Sequence, residues 1–248
     1  MGNYIGIDLG TTFSSVATID ETGNPVIVKN DKMNESKTGN STASCVALIG
    51  GNIVIGDTAR RSIEDNPNAI GRFKRDMGTK KTYKLGDRDI TPQDLSCVLL
   101  GRLREIAEKK LGKIEKAVVT VPANVDNNFR SSTMAAAKEA GLEIDHMINE
   151  PTAAALYYAY TNEIDNGKYA IFDLGGGTFD LSIIEVNGKD IHIITSNGIH
   201  KLGGDDFDVE LVKLVNEKFK EEYKRDLTKH DYDKNNAEDD KISLSKKI

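Results

Sequence analysis

Apolar residues along the chain recur at two spacings, which predict strands and helices in alternation. The run at 117–121 (AVVTV) is mostly β-branched and is closed by Pro122, so it predicts a buried strand. The segment 93–111 has apolar residues at helical spacing behind the cap signal Thr91-Pro92. Further helices are predicted over 128–140, 151–160, 207–223 and 237–248, and further strands over 45–49, 53–55 and 191–196. This alternation is typical of an α/β sheet, although the last helix has little to pack on.

Two segments of the chain have similar sequences. Residues 4–13 read YIGIDLGTTF and residues 169–179 read YAIFDLGGGTF, so Asp8 and Asp173 occupy matching positions 165 residues apart. Each segment predicts a strand, a glycine-bearing turn and a second strand (13–20 and 179–186) that pairs with the first. An internal repeat of this kind predicts two related lobes.

The turns of the two predicted hairpins carry the most informative chemistry. Each turn contains glycine and threonine and follows an aspartate, Asp8 or Asp173. Backbone N–H groups converge in such turns and form a nest for phosphate oxygens. Two facing turns offer donors for a polyphosphate and two carboxylates for a hydrated Mg²⁺ ion. A plainer interpretation stays open here, in which each aspartate only caps its own turn.

Other phosphate-binding and catalytic motifs are missing from the sequence. It contains no GxxxxGK[ST], GxGxxG, GxSxG or HExxH pattern, which argues against P-loop, Rossmann, serine-hydrolase and zinc-protease chemistry. The two cysteines, Cys45 and Cys97, sit in no metal-binding spacing and are too few for a disulfide framework. A reduced, cytosolic protein without zinc is therefore expected.

Composition narrows the possible partners. The 248 residues are 38% hydrophobic and 29% charged, with a net charge of −6, and this length supports one large domain or two lobes. No apolar run approaches the ~18 residues that a membrane span requires, and the N-terminal residues lack the pattern of a signal peptide. The acidic balance leaves no basic surface for nucleic acid. We therefore expect a cytoplasmic protein with no membrane and no nucleic-acid partner.

The motifs resemble, over nearly the whole chain, those of the DnaK-type heat-shock chaperones. The segments that carry the resemblance are IGIDLGTTFS (5–14), FKR (73–75), AVVTVPA (117–123), INEPTAAAL (148–156), IFDLGGGTFDL (171–181) and LGGDDFD (202–208). The resemblance implies an α/β fold of the actin-like ATPase class, with ribonuclease H-like duplicated lobes around a cleft for Mg·ATP. It also implies ATP or ADP as the ligand, Mg²⁺ as the ion and K⁺ as a further candidate ion.

The same resemblance implies how the two lobes divide. The first lobe would cover residues 1–165, with its base at 1–37 and 113–165 and its upper subdomain at about 38–112. The second would cover residues 166–248, with its base at 166–202 and the start of its upper subdomain at 203–248. We expect this second lobe to be incomplete, because the family's later strands, adenosine loop and closing helix have no counterpart here.

Site residues follow from the resemblance by position. Asp8 and Asp173 would hold Mg²⁺, largely through water. The residues expected to bind the nucleotide are Gly10, Thr11, Thr12, Phe13, Gly175, Gly176, Gly177, Thr178, Gly203, Gly204, Glu238, Lys241 and Ser245. The residues expected to take part in catalysis are Lys74, Glu150, Asp173 and Thr178. Without the resemblance, the spacing within residues 72–75 favours a solvated cation at Lys74.

Coupling residues and partners are implied in the same way. Pro122 and Arg130 match the family's positions that pass the nucleotide state to a substrate-binding domain, whereas Asn124-Val125 replaces the family's usual aromatic pair. A J-domain co-chaperone and a nucleotide exchange factor are the expected partners. Unfolded polypeptides would be bound only through a substrate-binding domain that these residues do not contain.

Three alternatives remain at this stage. A filament-forming actin-like ATPase would share the DLG hairpins and the Glu-Pro segment, but it fits FKR and LGGDDFD less well. A remnant with weak or no nucleotide binding would fit the unfinished second lobe. A sugar kinase of the same fold is disfavoured, because no candidate base precedes the second hairpin. The favoured interpretation is an ATP-hydrolysing nucleotide-binding domain of a chaperone that assists protein folding.

Overall fold

Strands and helices alternate over residues 92–174, as the apolar spacing predicts, whereas the elements before this segment are mostly strands and the last two are helices. This computed structural model describes residues 3–32, 34–36, 38–162, 165–188, 190–199, 202–228 and 231–246. The residues form two compact units. Unit 1 comprises Met1–Ile171 and Leu181–Asn197, and unit 2 comprises Phe172–Asp180 and Gly198–Ile248.

Short elements make up the first part of the chain. In order they are β1 (Asn3–Asp8), β2 (Phe13–Ile19), β3 (Pro25–Ile27), β4 (Thr42–Ala43), β5 (Cys45–Ile49), β6 (Asn52–Ile55), α1 (Asp57–Arg61), β7 (Ala69–Gly71), a 3₁₀ turn (Phe73–Asp76), β8 (Tyr83–Leu85) and β9 (Arg88–Ile90). Longer elements follow. They are α2 (Pro92–Leu111), β10 (Ile114–Val121), α3 (Asn127–Glu139), β11 (Ile144–Asn149), α4 (Glu150–Thr161), β12 (Gly167–Leu174), β13 (Phe179–Asn187), β14 (Asp190–Ile199), α5 (Gly204–Tyr223) and α6 (Lys234–Ser245).

Local capping explains where the central helices begin. The Thr91 hydroxyl accepts a hydrogen bond from the Asp94 N–H, and the Asp94 side chain accepts one from the Thr91 N–H. Asp126 caps α3 by accepting from the N–H of Phe129. Each such cap stabilises a helix by about 1 kcal/mol. Because these signals are local in sequence, the predicted bounds of α2 and α3 agree with the structure to within one residue.

The main sheet of unit 1 sets the position of the site. Its strand order is β11-β10-β1-β2-β3, with β4 also paired to β2. Strands β1, β10 and β11 run parallel to one another, whereas β2 is antiparallel to β1. The carboxyl ends of parallel strands meet at one edge of a sheet, which is where ligands bind in many α/β folds. Asp8, Pro122 and Glu150 lie at or just after the ends of these three strands.

The core of unit 1 lies between the main sheet and α2. Alternate residues of β1 are buried, because successive side chains on a strand point to opposite faces. Ile5 and Ile7 join Leu95, Leu99 and Leu103 of α2 in one apolar cluster. Full burial of each such side chain contributes roughly 1.5–3 kcal/mol.

Three smaller sheets accompany the main sheet. Strands β6-β5-β7 form one three-stranded sheet, and β8-β9 form a hairpin. Helix α1 covers β5, where Ala59 packs with Cys45 and Ala47. Strands β12-β13-β14 form a further sheet, in which Ile184 and Val186 pack with Ala155 of α4.

Unit 2 pairs its two helices, and the chain's last helix packs as little as expected. Helix α6 packs against α5 through Ala237, which is fully buried, but its larger apolar residues Ile242 and Leu244 are 43% and 55% exposed. The helix also begins three residues before the predicted start, because Asp233 forms a capping box with Asn236. Residues 247–248 of the predicted helix lie outside the described residues.

Candidate active site

The first predicted phosphate-binding turn joins β1 to β2 in unit 1. The two strands pair antiparallel, as the hairpin pattern predicts. A Cβ atom at Gly10 would lie 1.9 Å from the carbonyl oxygen of Phe13, so no other residue fits without moving the backbone. Thr11 and Thr12 complete the turn. The hydroxyl of Thr12 is buried and has no hydrogen-bond partner within the described part of the chain.

Asp8 is oriented by the neighbouring strand rather than by its own turn. Its Oδ1 accepts a hydrogen bond of 2.9 Å from the Thr120 hydroxyl on β10. That hydroxyl in turn accepts one of 3.3 Å from the Leu9 N–H. The interpretation of Asp8 as a cap of its own turn is therefore wrong. The carboxylate is exposed, which suits contact with the water shell of a hard cation.

Lys74 and Glu150 form a buried ion pair. Lys74 Nζ lies 2.6 Å from Glu150 Oε1, and the lysine is only 5% exposed. The solvated-cation interpretation of Lys74 is therefore wrong. A buried charge is retained only when it is paired, and breaking such a pair leaves an uncompensated charge. Each member consequently fixes the position of the other.

The 3₁₀ turn explains why Lys74 points inward. Arg72 precedes the turn with a positive φ of 59°, a conformation that residues other than glycine rarely adopt. The side chains on either side of Lys74 are anchored, since Phe73 lies in the main core and Met77 packs with Val121. These two anchors leave the lysine between them directed into the interior.

The end of the 3₁₀ turn is held by charge. Asp76 accepts a hydrogen bond from Tyr83 and lies 2.7 Å from Lys81 Nζ, which also sits 4.8 Å from the centre of the Tyr83 ring. Burial raises the pKa of Asp76, but the bonds from Lys81 and Tyr83 lower it by more, so the net pKa lies below its ordinary value. Asp76 therefore stays ionised and keeps the hairpin β8–β9 attached to the turn.

The coupling candidates Arg130 and Pro122 lie near the same edge of the sheet. Arg130 on α3 donates a hydrogen bond of 2.9 Å to the side-chain oxygen of Asn149. Asn149 ends β11 and immediately precedes Glu150, the first residue of α4. Pro122 directly follows β10. Arg130 thus contacts the residue next to the partner of Lys74.

Phe13 lies beside a cluster of charged residues from α1. The guanidinium carbon of Arg60 is 5.4 Å from the centre of the Phe13 ring, within the range of a cation–π contact. Asp57 accepts hydrogen bonds from Arg60 and Arg61. The guanidinium that lies against the Phe13 ring is therefore also held by Asp57.

The second predicted turn lies in unit 2 and resembles the first. The N–H of Gly175 donates to the carbonyl oxygen of Thr178 at 2.9 Å, and a Cβ on Gly175 would lie 3.4 Å from that oxygen. Gly175 and Thr178 occupy the positions that match Gly10 and Phe13 in the internal repeat. The leading glycine of both turns therefore approaches the carbonyl of the third residue after it.

The start of α5 packs directly on the second turn. A Cβ on Gly203 would lie 2.5 Å from backbone atoms of Gly176 and Gly177, so two backbones touch here. The N–H groups of Gly204 and Asp205 donate to the carbonyl oxygens of Gly175 and Gly176, at 3.0 and 2.7 Å. The consecutive glycines in both segments allow this approach.

Lys241 attaches α6 to the start of α5. Its Nζ lies 2.5 Å from Asp208 Oδ1 and donates to the Gly204 carbonyl oxygen at 2.8 Å. Asp208 is only 4% exposed. Burial, with smaller contributions from Glu238 and Asp205, raises its pKa by more than Lys241 lowers it, so the net pKa lies above its ordinary value. The adjacent candidates Glu238 and Ser245 lie on the same helix, and the Ser245 hydroxyl donates to the Lys241 carbonyl oxygen.

The predicted site residues thus fall into two groups. Unit 1 contains the turn Gly10–Phe13 with Asp8, the Lys74–Glu150 pair and the coupling candidates. Unit 2 contains Asp173, the second turn, the start of α5 and the three candidates on α6. Sequence reasoning missed Thr120, Asn149 and Asp208, which orient candidates from other elements. All three lie inside motifs that carry the family resemblance, AVVTVPA, INEPTAAAL and LGGDDFD, but nothing in the sequence indicates the strand register that brings Thr120 to Asp8.

Other kinds of site are less well supported. Both cysteines are free thiols, and burial raises the pKa of Cys45 to about 12, so this thiol stays protonated at neutral pH. Among the described residues, no cluster of three or more histidine, cysteine or acidic side chains could hold a metal ion directly. No described helix combines the length and hydropathy of a membrane span. An ion held largely through water, with Asp8 at its shell, fits this donor set.

Comparison with known proteins identifies the family. The family model for Hsp70 protein matches residues 4–248. The chaperone protein DnaK of Mycoplasmopsis agalactiae is 45% identical over 225 residues, which cover 90% of this chain and 37% of that relative. The DnaK proteins of Mycoplasmopsis synoviae (strain 53) and Mesomycoplasma hyopneumoniae (strain J) are 43% and 44% identical over 246 residues, covering 97% of this chain and 40% of each relative.

These matches cover nearly all of this chain but only part of each relative. The chain spans 37 to 40% of the length of these curated relatives. The fold, mixed α/β with several sheets, agrees with the family. By the extent of the family match and the identity to DnaK proteins, this chain belongs to the Hsp70 family.

Proposed function

We propose that this chain binds Mg·ATP and Mg·ADP and hydrolyses ATP as the nucleotide-binding part of a chaperone that assists protein folding. The observation that carries the proposal is the buried Lys74–Glu150 pair at the carboxyl edge of the main sheet, where Asp8 also ends its strand. Transfer of a phosphoryl group to water needs little covalent chemistry from a protein. It depends on positioning and on neutralising charge, and a buried, oriented lysine supplies both.

Lys74 would act on the charge that develops as the γ-phosphate leaves. Its ammonium group cannot swing freely, because Glu150 holds it at 2.6 Å. Charge neutralisation by a fixed group costs no reorganisation during the reaction and is worth ~10²- to 10³-fold in rate for one such donor. Glu150 would hold both the lysine and the attacking water in place.

The two turns would bind the phosphates. Backbone N–H groups, with the hydroxyls of Thr11, Thr12 and Thr178, are the donors that suit phosphate oxygens. The buried, unpartnered hydroxyl of Thr12 supports this assignment, since a buried polar group without a partner is costly unless a ligand satisfies it. Asp8 and Asp173 would hold Mg²⁺ through its water shell. The ion, when bound, would neutralise phosphate charge.

The part of the site that binds adenosine would be formed by α6. Glu238, Lys241 and Ser245 share this helix, and Lys241 attaches it to the start of α5, which itself packs on the second turn. Gly203 and Gly204 would then contribute backbone at the junction between the phosphate and adenosine parts. Helix α6 and the turn would move as one body, so the distance between their groups would be fixed.

The proposal extends to the parent protein and its organisation. Pro122 and Arg130 would couple the nucleotide state to a substrate-binding domain, and a J-domain co-chaperone, a nucleotide exchange factor and unfolded polypeptides would be the partners of a cytoplasmic parent. The fold would be the actin-like ATPase class, with lobes at 1–165 and 166–248 and only part of the second lobe included. The coverage of the DnaK relatives, 37 to 40% of their length, is consistent with this.

Single-turnover hydrolysis tests the proposal. Excess protein is mixed with labelled Mg·ATP, and ADP and phosphate are measured for the wild-type chain, Lys74→Ala and Lys80→Ala. Lys80 is an exposed lysine just beyond the 3₁₀ turn and serves as the matched control. We expect Lys74→Ala to bind nucleotide nearly as well as wild type but to hydrolyse it at least about tenfold more slowly, with Lys80→Ala unchanged. Equal rates in all three proteins would mean that the hydrolysis comes from a contaminant or does not involve Lys74.

A further inference from the structure

Two buried serines lie beneath the first turn, and the sequence motifs give them no role. Ser14 lies on β2 and is 0% exposed, and Ser44 lies between β4 and β5 and is 3% exposed. Both contact the backbone of Gly10. Buried hydroxyls are retained at a cost in desolvation unless hydrogen bonds satisfy them, so the arrangement of their bonds is informative.

The hydrogen bonds form a closed ring whose direction is determined. The Gly10 N–H donates to Ser14 Oγ at 3.0 Å, and the Ser44 hydroxyl donates to the Gly10 carbonyl oxygen at 2.8 Å. The two serine oxygens are 2.9 Å apart. A hydroxyl carries one proton, and that of Ser44 is already committed, so Ser14 must be the donor between them. The ring therefore runs from the Gly10 N–H through Ser14 and Ser44 to the Gly10 carbonyl.

Ser44 also binds a second carbonyl of the turn. Its backbone N–H donates to the carbonyl oxygen of Thr12 at 2.8 Å. The carbonyls of Gly10 and Thr12 therefore both face Ser44. In a trans peptide the carbonyl and the following N–H point in opposite directions, and there are no cis peptides among the described residues. The N–H groups of Thr11 and Phe13 consequently point away from Ser44.

The second turn has no such ring. Phe179 occupies the position that matches Ser14 in the repeat, and the Gly175 N–H donates directly to the Thr178 carbonyl. In the first turn, by contrast, both polar groups of the glycine are bound by side chains. The serines thus fix the orientation of peptides in one turn only.

We propose that Ser14 and Ser44 are positioning residues that set the peptide orientation of the first turn for phosphate binding. They act through the backbone and touch no ligand themselves. By holding the Gly10 and Thr12 carbonyls inward, they keep the Thr11 and Phe13 N–H groups directed outward as a pair of donors. This inference rests on the proposed nucleotide-binding function and deepens it.

The test compares two ligands and three variants. Ser44→Ala removes the ring and one carbonyl contact, Ser14→Ala removes the ring but leaves both contacts of Ser44 in place, and Ser182→Ala is the matched control. Ser182 is also buried and pairs with Ser196 at 2.9 Å, and it belongs to β13 in a different sheet from β2. Affinities for Mg·ADP and for Mg·pyrophosphate are measured by calorimetry. The Thr11 and Phe13 amide signals are followed by NMR as pyrophosphate is added.

The expected results are graded. Ser44→Ala should bind both ligands about tenfold more weakly than wild type, with the same factor for each ligand. Ser14→Ala should bind both about threefold more weakly, and Ser182→Ala should bind both as tightly as wild type. The amide signals of Thr11 and Phe13 should shift with pyrophosphate in wild type and much less in Ser44→Ala. Loss of folding stability alone would leave these shifts intact at saturating ligand.

Three results would overturn the inference. If wild type binds both ligands and folded Ser44→Ala and Ser14→Ala bind them equally well, the serines do not position the turn. An equal loss of affinity in Ser182→Ala would also count against the two serines, because the loss would then come from a general loss of packing and not from the first turn. If wild type binds neither ligand, the proposed function itself fails and the inference fails with it.

Discussion

Lys74 Nζ lies 2.6 Å from Glu150 Oε1 in a largely buried pair that joins positions 76 residues apart. Lys74 comes from a single 3₁₀ turn and Glu150 from the first residue of α4. The 3₁₀ turn could not hold the lysine side chain alone, since a turn of four residues has few internal hydrogen bonds. The pair therefore connects the segment after β7 to the carboxyl edge of the main sheet.

The strength of this pair can be measured without any ligand. In a double-mutant cycle with Lys74→Met and Glu150→Gln, each single substitution should destabilise the fold, and the double variant should lose less than their sum. We expect a coupling of about 1.5–3 kcal/mol by urea unfolding, because a hydrogen bond between buried charges is lost. The control cycle uses Lys84→Met and Asp89→Asn, an exposed pair at 2.9 Å, for which coupling below ~1 kcal/mol is expected. Equal coupling in both cycles would contradict the account of a buried pair.

Asp8→Asn tests the ion-binding assignment. The substitution keeps the acceptor for the Thr120 hydroxyl but removes the charge. We expect weaker ADP binding when Mg²⁺ is present and little change in its absence, because a neutral amide attracts the ion's water shell less strongly. The matched control is Asp87→Asn, an exposed aspartate in the β8–β9 turn. An unchanged Mg²⁺ dependence in Asp8→Asn would remove this residue from the ion site.

Asp208→Asn tests whether α6 carries the adenosine contacts. Loss of the buried carboxylate leaves Lys241 without its charged partner and loosens α6 from the start of α5. Affinity for Mg·ADP should fall about tenfold, whereas affinity for Mg·pyrophosphate should stay within about twofold, since pyrophosphate has no adenosine. Asp240→Asn on the same helix is the control, because Asp240 is exposed and bonds only Tyr232 among the described residues. An equal loss for both ligands would contradict this division of the site.

Glu35 makes the stability of unit 1 depend on pH. Burial raises its pKa, but hydrogen bonds from Arg102 and Asn30 lower it by more, so the folded pKa lies below the ordinary value of 4.5. An acid whose pKa is lowered by folding stabilises the fold above its unfolded pKa and loses this contribution as the pH falls. The difference in the free energy of unfolding between wild type and Glu35→Gln should therefore become smaller below about pH 4.5. Urea unfolding of both proteins across this pH range measures the difference, and Glu115→Gln, at an exposed position, is the control. A difference that stays constant with pH would contradict a lowered pKa for Glu35.

Local signals made much of the fold predictable. The capping box at Thr91 and the cap at Asp126 lie within three residues of the groups they bind, so the starts of α2 and α3 can be found from sequence. The internal repeat likewise predicts the antiparallel pairing of β1 and β2. Strand β7, helix α1 and the β8–β9 hairpin were not predicted, because elements of three to five residues carry too few positions to show a period.

Contacts between distant segments were less predictable. Spacing within residues 72–75 favoured a solvated Lys74, and only the packing of Phe73 and Met77 directs that side chain inward. The ring of Ser14 and Ser44 depends on bringing β4 against the first turn. Family resemblance named many site residues, including Glu150, which holds Lys74, but it gave no role to the other residues that orient them.

Calorimetric titration of this chain with Mg·ADP tests the central claim most directly, because the proposal assigns nucleotide or ion contacts to both turns, to Asp8 and Asp173, and to α6. We expect binding near or below ~1 μM, about −8 kcal/mol, and a loss of that affinity when Mg²⁺ is removed. Absence of heat at millimolar ligand, with the chain folded, would contradict it. Such a chain would be a member of the Hsp70 family without a working nucleotide site of its own.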